Sequence, residues 1–308
     1  MENKVYPGHL IQVIQGFYNN TSISIDNGNV ATTKFILVNQ GVRQGCPLSP
    51  SLFNIYVDAA ICEWKSVLVN NFKLNNLTLN TILFADDQVI FSQSAHELQK
   101  ASHQLLSIVN SYNLNISSNK TKVMAFRGKQ PIRSKIIINN EPIEQVSNFN
   151  YLGCDISYNQ DNDLMHKLHK FQHMCGTIHR TLKNKTRIDT QIKFYKIMAV
   201  PMVMYGSENW ALNRSERRRI ETNEMKFLRR VAGLNLLDQV SNNDIRNSLE
   251  IFNLNERIID NKERWHAHIQ RMDPDRLTKK LLNYRPQGYR DVGRPRIRWK
   301  DTLSRNRP

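Results

Sequence analysis

Two adjacent carboxylates, Asp86 and Asp87, stand between the apolar runs Ile82-Leu83-Phe84 and Val89-Ile90-Phe91. Charges held that close repel, and keeping them at the end of packed strands costs free energy unless a cation or a cluster of donors compensates. One reading is a hairpin turn, because Asp tolerates turn conformations and bonds its own backbone. The other is a metal site, since hard divalent cations such as Mg²⁺ take carboxylate oxygens and keep positions open for phosphate.

Other residues could take a ligand. His166, His169, His173 and His179 share one predicted helix with Cys175, and the first three fall at i, i+3 and i+7. That spacing could hold zinc. The same helix carries Lys167, Lys170 and Arg180, which suit a polyanion at least as well. Arg217, Arg218, Arg219, Arg229 and Arg230 give a second helix a basic excess, readable as a solvated face or as a grip on backbone phosphate. Gly293-Arg294-Pro295-Arg296 has the form of an extended arginine segment entering a minor groove, or of a basic tail without sequence preference. Trp299 could stack on a base or simply pack.

Charge narrows the partner. The 308 residues carry a formal net charge of +16, a self-repulsion that favours a polyanionic partner and contributes nothing to a fold. It is uneven: residues 1–154 hold 12 Lys and Arg against 9 Asp and Glu, whereas residues 155–308 hold 31 against 18. The acidic pair lies in the first half and the electrostatic grip in the second. Hydrophobic content of 40% supports a folded core. Cys46, Cys62, Cys154 and Cys175 form no CxxC pattern, which fits free thiols in a reducing compartment. MENKVYPGHL lacks the features of a signal peptide, and no apolar run reaches membrane-spanning length. The expectation is an intracellular protein of nucleus or cytoplasm, with no membrane partner.

The elements that must position these residues read as follows. Helical spacing at Leu10, Ile11, Ile14 and Phe17 predicts a helix over 8–18, and Ile23, Ile25, an Asp26–Asn29 turn and Phe35–Val38 predict a hairpin. The loop GVRQGCPLSP runs into a helix with Leu52, Phe53, Tyr56, Val57 and Ile61 on one side, capped by Ser49 with Pro50 at its start. Residues 81–92 read as a hairpin with the Asp pair at its turn, its tip made rigid by burial of Leu83, Phe84, Val89, Ile90 and Phe91. A helix follows over 95–113, then short strands at 122–126, 135–138 and 151–156. Helices are predicted over 163–183, 188–204, 215–232 and 255–272. The class is α+β, an α+β half followed by an α half.

The order of these pieces resembles the palm of a reverse transcriptase. QGCPLSP leads into a helix, FADD sits on an apolar hairpin, and NLNISSNKTKVMAF and YLGCDI follow. The likeness is to non-LTR, LINE-type retrotransposon polymerases, and LMHKLHKFQHMCGTIHR, VPMVMYGSENWAL, RWHAHIQRMD and GRPRIRWKD extend it through thumb and tail. It implies a partial right-hand palm over 1–157, a helical thumb-like region over 158–235, and a basic helical C-terminal region with its tail over 236–308. It implies RNA-directed DNA polymerisation by two Mg²⁺ ions, with RNA template, DNA primer and deoxynucleoside triphosphates as partners. Asp86 and, less directly, Asp87 become metal ligands. Arg43, Gln44 and Gly45 lie beside nucleotide and template, and Lys120 contacts the nucleotide or protonates pyrophosphate. Leu152 and Gly153 form the primer grip, and Arg217, Arg218, Arg229, Arg230, Arg294 and Arg296 hold backbone phosphate.

A reverse transcriptase needs a third carboxylate on an earlier strand, together with basic fingers. Asp26, Asp58 and Asp155 match no such position, and neither the fingers nor an upstream endonuclease has a counterpart in these residues. The expectation is a two-metal site incomplete in this chain and a polypeptide that alone does not polymerise DNA. The alternative is a nonenzymatic nucleic-acid-binding remnant of a decayed element.

Overall fold

The structure, a computed structural model, describes residues 6–25, 34–38, 40–68, 72–74, 77–126, 132–157, 162–284 and 297–303. The fold mixes helices with small antiparallel ladders, in agreement with the α+β expectation. The chain divides into two compact units, Met1–Ala125 with Lys129–Gln145, and Phe126–Gly128 with Val146–Pro308.

In the first unit the helix α1 (Gly8–Tyr18) buries none of its residues. It is followed by the pair β1 (Ser22–Ile23) and β2 (Ile36–Leu37), in register Ser22 to Leu37 and Ile23 to Ile36. The turn expected at Asp26–Asn29 lies outside the described residues. Helix α2 (Ser49–Val67) buries Val57 and Ile61 as its spacing predicts, along with Ala60 and Trp64. Tyr56 departs from that face and stands 46% exposed, its hydroxyl donating to the Tyr112 carbonyl. Ser49 also departs from its expected role. Its hydroxyl donates to the Arg43 carbonyl at 2.6 Å and makes no cap bond, so Leu48 occupies the cap position.

A two-strand ribbon of β3 (Lys73–Leu74) and β4 (Leu77–Thr78) precedes the hairpin of β5 (Thr81–Phe84) and β6 (Asp87–Ile90). Helix α3 (Ala95–Ser111) is capped by Ser94, whose hydroxyl accepts from the Glu97 amide at 3.2 Å. Its Ala101, Leu105 and Val109, four residues apart, pack on Val57, Ile61 and Trp64, and the Trp64 indole donates to the Ala101 carbonyl at 3.0 Å. A second cluster joins Val123 to the hairpin of β7 (Ile136–Ile138) and β8 (Glu141–Ile143). The strand predicted over 122–126 reduces to one bridge, Val123 with Gln145.

The second unit opens with β9 (Asn148–Tyr151) and β10 (Cys154–Ser157), joined by the two-residue turn Leu152-Gly153. The turn breaks what the sequence suggests as one strand over 151–156, because both residues take positive φ, 49° and 75°. Helix α4 (Asn162–Leu182) turns Leu164, Leu168, Phe171, Cys175 and Ile178 inward. Helix α5 (Ile188–Phe194) continues through a widened turn, Tyr195–Ala199, into α6 (Val200–Met204). The widening fits Pro201, which has no N–H to return to the preceding turn.

Helix α7 (Arg214–Ala232) starts at a reciprocal cap, Asn213 with Glu216, and ends at Gly233 with φ 72°. Helices α8 (Asn242–Ser248), α9 (Leu254–Arg271) and α10 (Leu277–Leu282) complete the unit. Its core gathers Phe171, Tyr195, Phe227, Leu228, Ile245 and Leu254. Inside it the fully buried Glu224 meets Arg246 at 2.8 Å and accepts from the Leu254 amide at 3.1 Å. Burial raises the Glu224 carboxyl above its ordinary value, and Arg246 opposes that rise.

Candidate active-site hairpin and nucleic-acid interface

Strand pairing decides where the two carboxylates go. The register Thr81 to Ile90, Ile82 to Val89, Leu83 to Gln88 and Phe84 to Asp87 leaves Ala85-Asp86 as the turn. Asp86 therefore occupies the tip, while Asp87 is the first residue of β6. Neither side chain makes a hydrogen bond or ion pair among the described residues. Ala85 holds φ 51°, a left-handed conformation that an alanine adopts at a cost of about 1–3 kcal/mol. A side-chain strap braces the hairpin: Gln88 donates to the Thr81 hydroxyl at 3.1 Å, which donates to the Val89 carbonyl at 2.8 Å. Phe91 stacks on Phe72 at its base, with ring centres 5.9 Å apart.

Burial does not brace the tip. Ile82 and Leu83 are each 38% exposed and Phe84 is 62% exposed, so the expected burial of the flanks is incorrect on the β5 side. The physical reason is the sheet itself: β5 and β6 pair only with each other among the described residues, leaving apolar faces without a third strand.

Two carboxylates with uncommitted oxygens fit a hard cation, and Asp86 and Asp87 are the residues that would hold Mg²⁺. Among the described residues no third His, Cys, Asp or Glu joins them to hold an ion. The same holds for the histidine helix, whose i, i+3, i+7 spacing gathers no metal-holding group among the described residues. His166 instead bonds Asp155 at 2.6 Å, and Cys175 points into the core, where burial pushes its thiol up to about 12.

The loop before α2 uses its arginine internally. The Arg43 guanidinium donates to the Phe17 carbonyl at 2.5 Å and the Thr21 hydroxyl at 2.9 Å, and lies 5.6 Å from the Tyr18 ring centre. It thus ties the loop to the C-terminal end of α1, where carbonyl oxygens favour a cation. Gln44 and Gly45 are exposed, with Gly45 at φ 83°. Lys120 is exposed at the end of a turn.

In the second unit, Leu152 and Gly153 are built into a network. The Tyr205 hydroxyl donates to the Leu152 carbonyl at 2.9 Å, and a Cβ on Gly153 would meet the Tyr205 ring at 3.0 Å. Asp163 accepts from the Asp155 amide at 2.9 Å, from the Trp210 indole at 2.7 Å and from Lys167 at 2.8 Å. At Gly206, φ 70°, a Cβ would stand 2.5 Å from the Cys154 sulfur. Any larger residue would force the Cys154 and Lys167 side chains to shift. Burial works to raise the Asp155 carboxyl, but Asn150, His166 and Lys170 outweigh it and leave that carboxyl below its ordinary value.

A cleft of about 380 Å³ opens beside this turn, lined by Gly153, Asp163, Lys167, Met174, Met202 and Tyr205 together with the exposed stripe His166, His169, Lys170 and His173. Sequence reasoning found the histidines and the turn but missed Asp163, Met202 and Tyr205. For Met202 and Tyr205 the signal was present in VPMVMYGSENWAL, although nothing in its spacing tied it to the histidine helix.

The basic helix α7 divides its arginines. Arg218 and Arg230 are exposed, Arg217 is half-buried, and Arg229 donates to the Val240 carbonyl at 2.8 Å and to Asn242 at 2.9 Å. Arg294 and Arg296 lie outside the described residues. Trp299 packs, its indole donating to the Glu208 carbonyl at 2.6 Å and its ring centre lying 5.0 Å from the Lys262 ammonium. Among the described residues no helix is long and apolar enough to cross a membrane.

Residues 4–156 match the family model described as reverse transcriptase (RNA-dependent DNA polymerase). A transposon-derived protein of Caenorhabditis elegans is 27% identical over 244 residues, covering 75% of this chain and 86% of that protein. A retrovirus-related Pol polyprotein from the type-2 retrotransposable element R2DM of Drosophila melanogaster is 27% identical over 123 residues. The corresponding polyprotein from the type-1 element R2 of Popillia japonica is 30% identical over 81 residues. The matches cover 40% and 26% of this chain and 11% of each polyprotein. The likeness is thus to reverse transcriptases of the non-LTR retrotransposon type.

Proposed function

We propose that this chain is the C-terminal part of a non-LTR retrotransposon reverse transcriptase, a palm from the QGCPLSP loop onward followed by a thumb and a basic tail. The observation that carries the reading is the β5–β6 hairpin, which sets Asp86 at its tip and Asp87 beside it inside the matched residues 4–156. When bound, Mg²⁺ would activate a primer hydroxyl and stabilise the leaving pyrophosphate during RNA-directed DNA synthesis. The chain's own contribution is to hold two uncommitted carboxylates on a braced hairpin. Gln44, Gly45 and Lys120 are exposed where nucleotide and template would approach, and Leu152-Gly153 offers backbone to the primer. Arg217, Arg218 and Arg230 supply phosphate contacts, with Arg294 and Arg296 in the tail. The working compartment is nucleus or cytoplasm, where RNA template, DNA primer and deoxynucleoside triphosphates meet.

The 308-residue chain by itself should not extend a primer, because no third metal-holding side chain joins the pair among the described residues. Primer extension with Mg²⁺, RNA template and DNA primer tests this: no product is expected. Product that disappears in Asp86→Ala would overturn the inactivity while leaving the polymerase assignment intact. A second reading, a nonenzymatic nucleic-acid-binding remnant, is favoured by one observation: the similarity spans 86% of the transposon-derived nematode protein. In-frame coding sequence upstream of Met1 with an acidic strand motif would exclude that second reading.

A further inference from the structure

Cys154 on β10 and Lys167 on α4 stand in direct contact, the Lys167 ammonium donating to the Cys154 sulfur at 3.5 Å. Gly206 makes that approach possible: a Cβ there would lie 2.5 Å from the sulfur and 3.0 Å from the Lys167 nitrogen, leaving no room for both. Lys167 has little freedom to leave. Its side chain is 7% exposed, Asp163 accepts from it at 2.8 Å, and the Tyr205 and Trp210 ring centres lie 5.6 and 5.5 Å from its nitrogen. Cys154 is a free thiol and half-buried, whereas Cys175 of the same unit is enclosed in the core. The cleft of about 380 Å³ has Gly153, Asp163 and Lys167 in its wall, which gives a small solute a path to the pair.

A thiol within reach of a peroxide, held against an amine whose proton has an acceptor beside it, is the arrangement that a sulfur–nitrogen crosslink requires. We propose that Cys154 and Lys167 form a redox-modification site, at which hydrogen peroxide joins the Cys154 sulfur to the Lys167 nitrogen as a sulfenamide. In the first step the sulfur gives two electrons to the peroxide O–O bond, which breaks and leaves a sulfenic acid and one water. In the second the Lys167 ammonium passes a proton to Asp163, and the freed nitrogen lone pair attacks the sulfur. The S–O bond breaks, and hydroxide leaves and takes the second nitrogen proton as water. A sulfenic acid is often consumed by another thiol, but here the group in contact is the amine. A dithiol reverses the link, returning thiol and amine while it becomes a disulfide. The crosslink would tie the strand after the Leu152-Gly153 turn to α4. The proposal is independent of the reading of the chain as a polymerase fragment.

The test treats the full chain with hydrogen peroxide, removes the excess with catalase, caps the remaining thiols with N-ethylmaleimide and maps the tryptic peptides by mass spectrometry. No Lys or Arg stands between Ile136 and Lys167, so both residues of the pair fall in one peptide. A linked Lys167 resists trypsin. The expected product is residues 136–170, lighter by about 2 Da than the same peptide unmodified. Cutting it further at Asp155, Asp161 and Asp163 should leave two pieces still joined. Dithiothreitol should restore both cleavage after Lys167 and a maleimide-reactive thiol. Cys154→Ser and Lys167→Arg should each abolish the product, the second while keeping a cation on Asp163. Should either variant fail to fold, the parent treated in urea replaces it, and the unfolded chain should give about tenfold less product because the pair is no longer held together.

Unchanged cleavage after Lys167, with Cys154 recovered as a sulfinic acid, as a disulfide or as a sulfenic acid trapped by dimedone, overturns the proposal. So does an equal yield in the urea-unfolded chain, which would make the link a product of the reagents and not of the fold. A linked peptide heavier by about 14 Da would retain an oxygen between sulfur and nitrogen, and overturns the condensation step.

Discussion

The two units solve the problem of burying apolar surface in opposite ways. In the second, α4, α5, α7, α8 and α9 converge on one core in which Phe171, Tyr195, Leu228 and Leu254 are all but inaccessible. In the first, α2 and α3 share a small core around Trp64, whereas α1, β1–β2 and the β5 strand leave Val13, Phe17, Phe35, Leu37 and Phe84 more than half exposed. A helix bundle is satisfied by its own neighbours. A two-stranded ribbon has two faces and two edges, and needs a third strand or a helix to cover them. The region carrying the carboxylates therefore has the smaller core, and the region carrying most of the positive charge the larger one.

The contrast can be broken first at its strongest point. Removing the guanidinium from the buried pair with Arg246→Ala leaves the buried Glu224 carboxyl without its counter-ion, and should destabilise the second unit by about 3–5 kcal/mol. Urea unfolding followed by hydrogen exchange should show the loss in α7–α9 while α2 and α3 keep their protection. Equal loss in both units would mean that they fold as one. Gly153→Ala should cost less, about 1–2 kcal/mol, because it places a Cβ at φ 75° and 3.0 Å from the Tyr205 ring.

A pH series sharpens the comparison further. Burial, with Arg217 nearby, lowers the Lys262 ammonium to about 8. A base depressed on folding stabilises above its unfolded value and loses that contribution as pH falls through the folded one. The melting temperature of the parent relative to Lys262→Met should accordingly rise from pH ~8 toward pH ~10.4, the ordinary lysine value. A flat difference would show Lys262 to be solvated. The smallest effect belongs to the open region: Leu83→Ser and Phe84→Ser should each change stability by no more than about 0.5 kcal/mol, since both side chains are already exposed. A large loss at either would reveal a covered hairpin.

These differences also explain what the sequence could disclose. Helices α3, α4, α7 and α9 were legible because each has three or more turns of apolar periodicity, while α8 and α10, at 7 and 6 residues, are too short to show one. The hairpin position of Asp86 was legible from the apolar runs around it, but the exposure of those runs was not, because strand patterning cannot count the neighbours a ribbon will find. Ser49 reads as a helix cap until the Arg43 carbonyl turns up within reach of its hydroxyl. Arg43 reads as a nucleotide contact, and its bonds to Phe17 and Thr21 depend on a chain reversal that no local motif encodes. The Asp155–His166 and Asp163–Trp210 pairs were hidden for the same reason, their partners lying 11 and 47 residues apart.

The central claim is that the hairpin tip, and not the histidine helix, receives the divalent ion. Ferrous iron in place of Mg²⁺, with ascorbate and peroxide, cuts the backbone beside the ion it occupies, and the full chain with an RNA–DNA primer-template is the sample. The account predicts cuts within residues 84–88 that excess Mg²⁺ suppresses and Asp86→Asn removes. Cuts confined to residues 166–173, unchanged in Asp86→Asn, would contradict it.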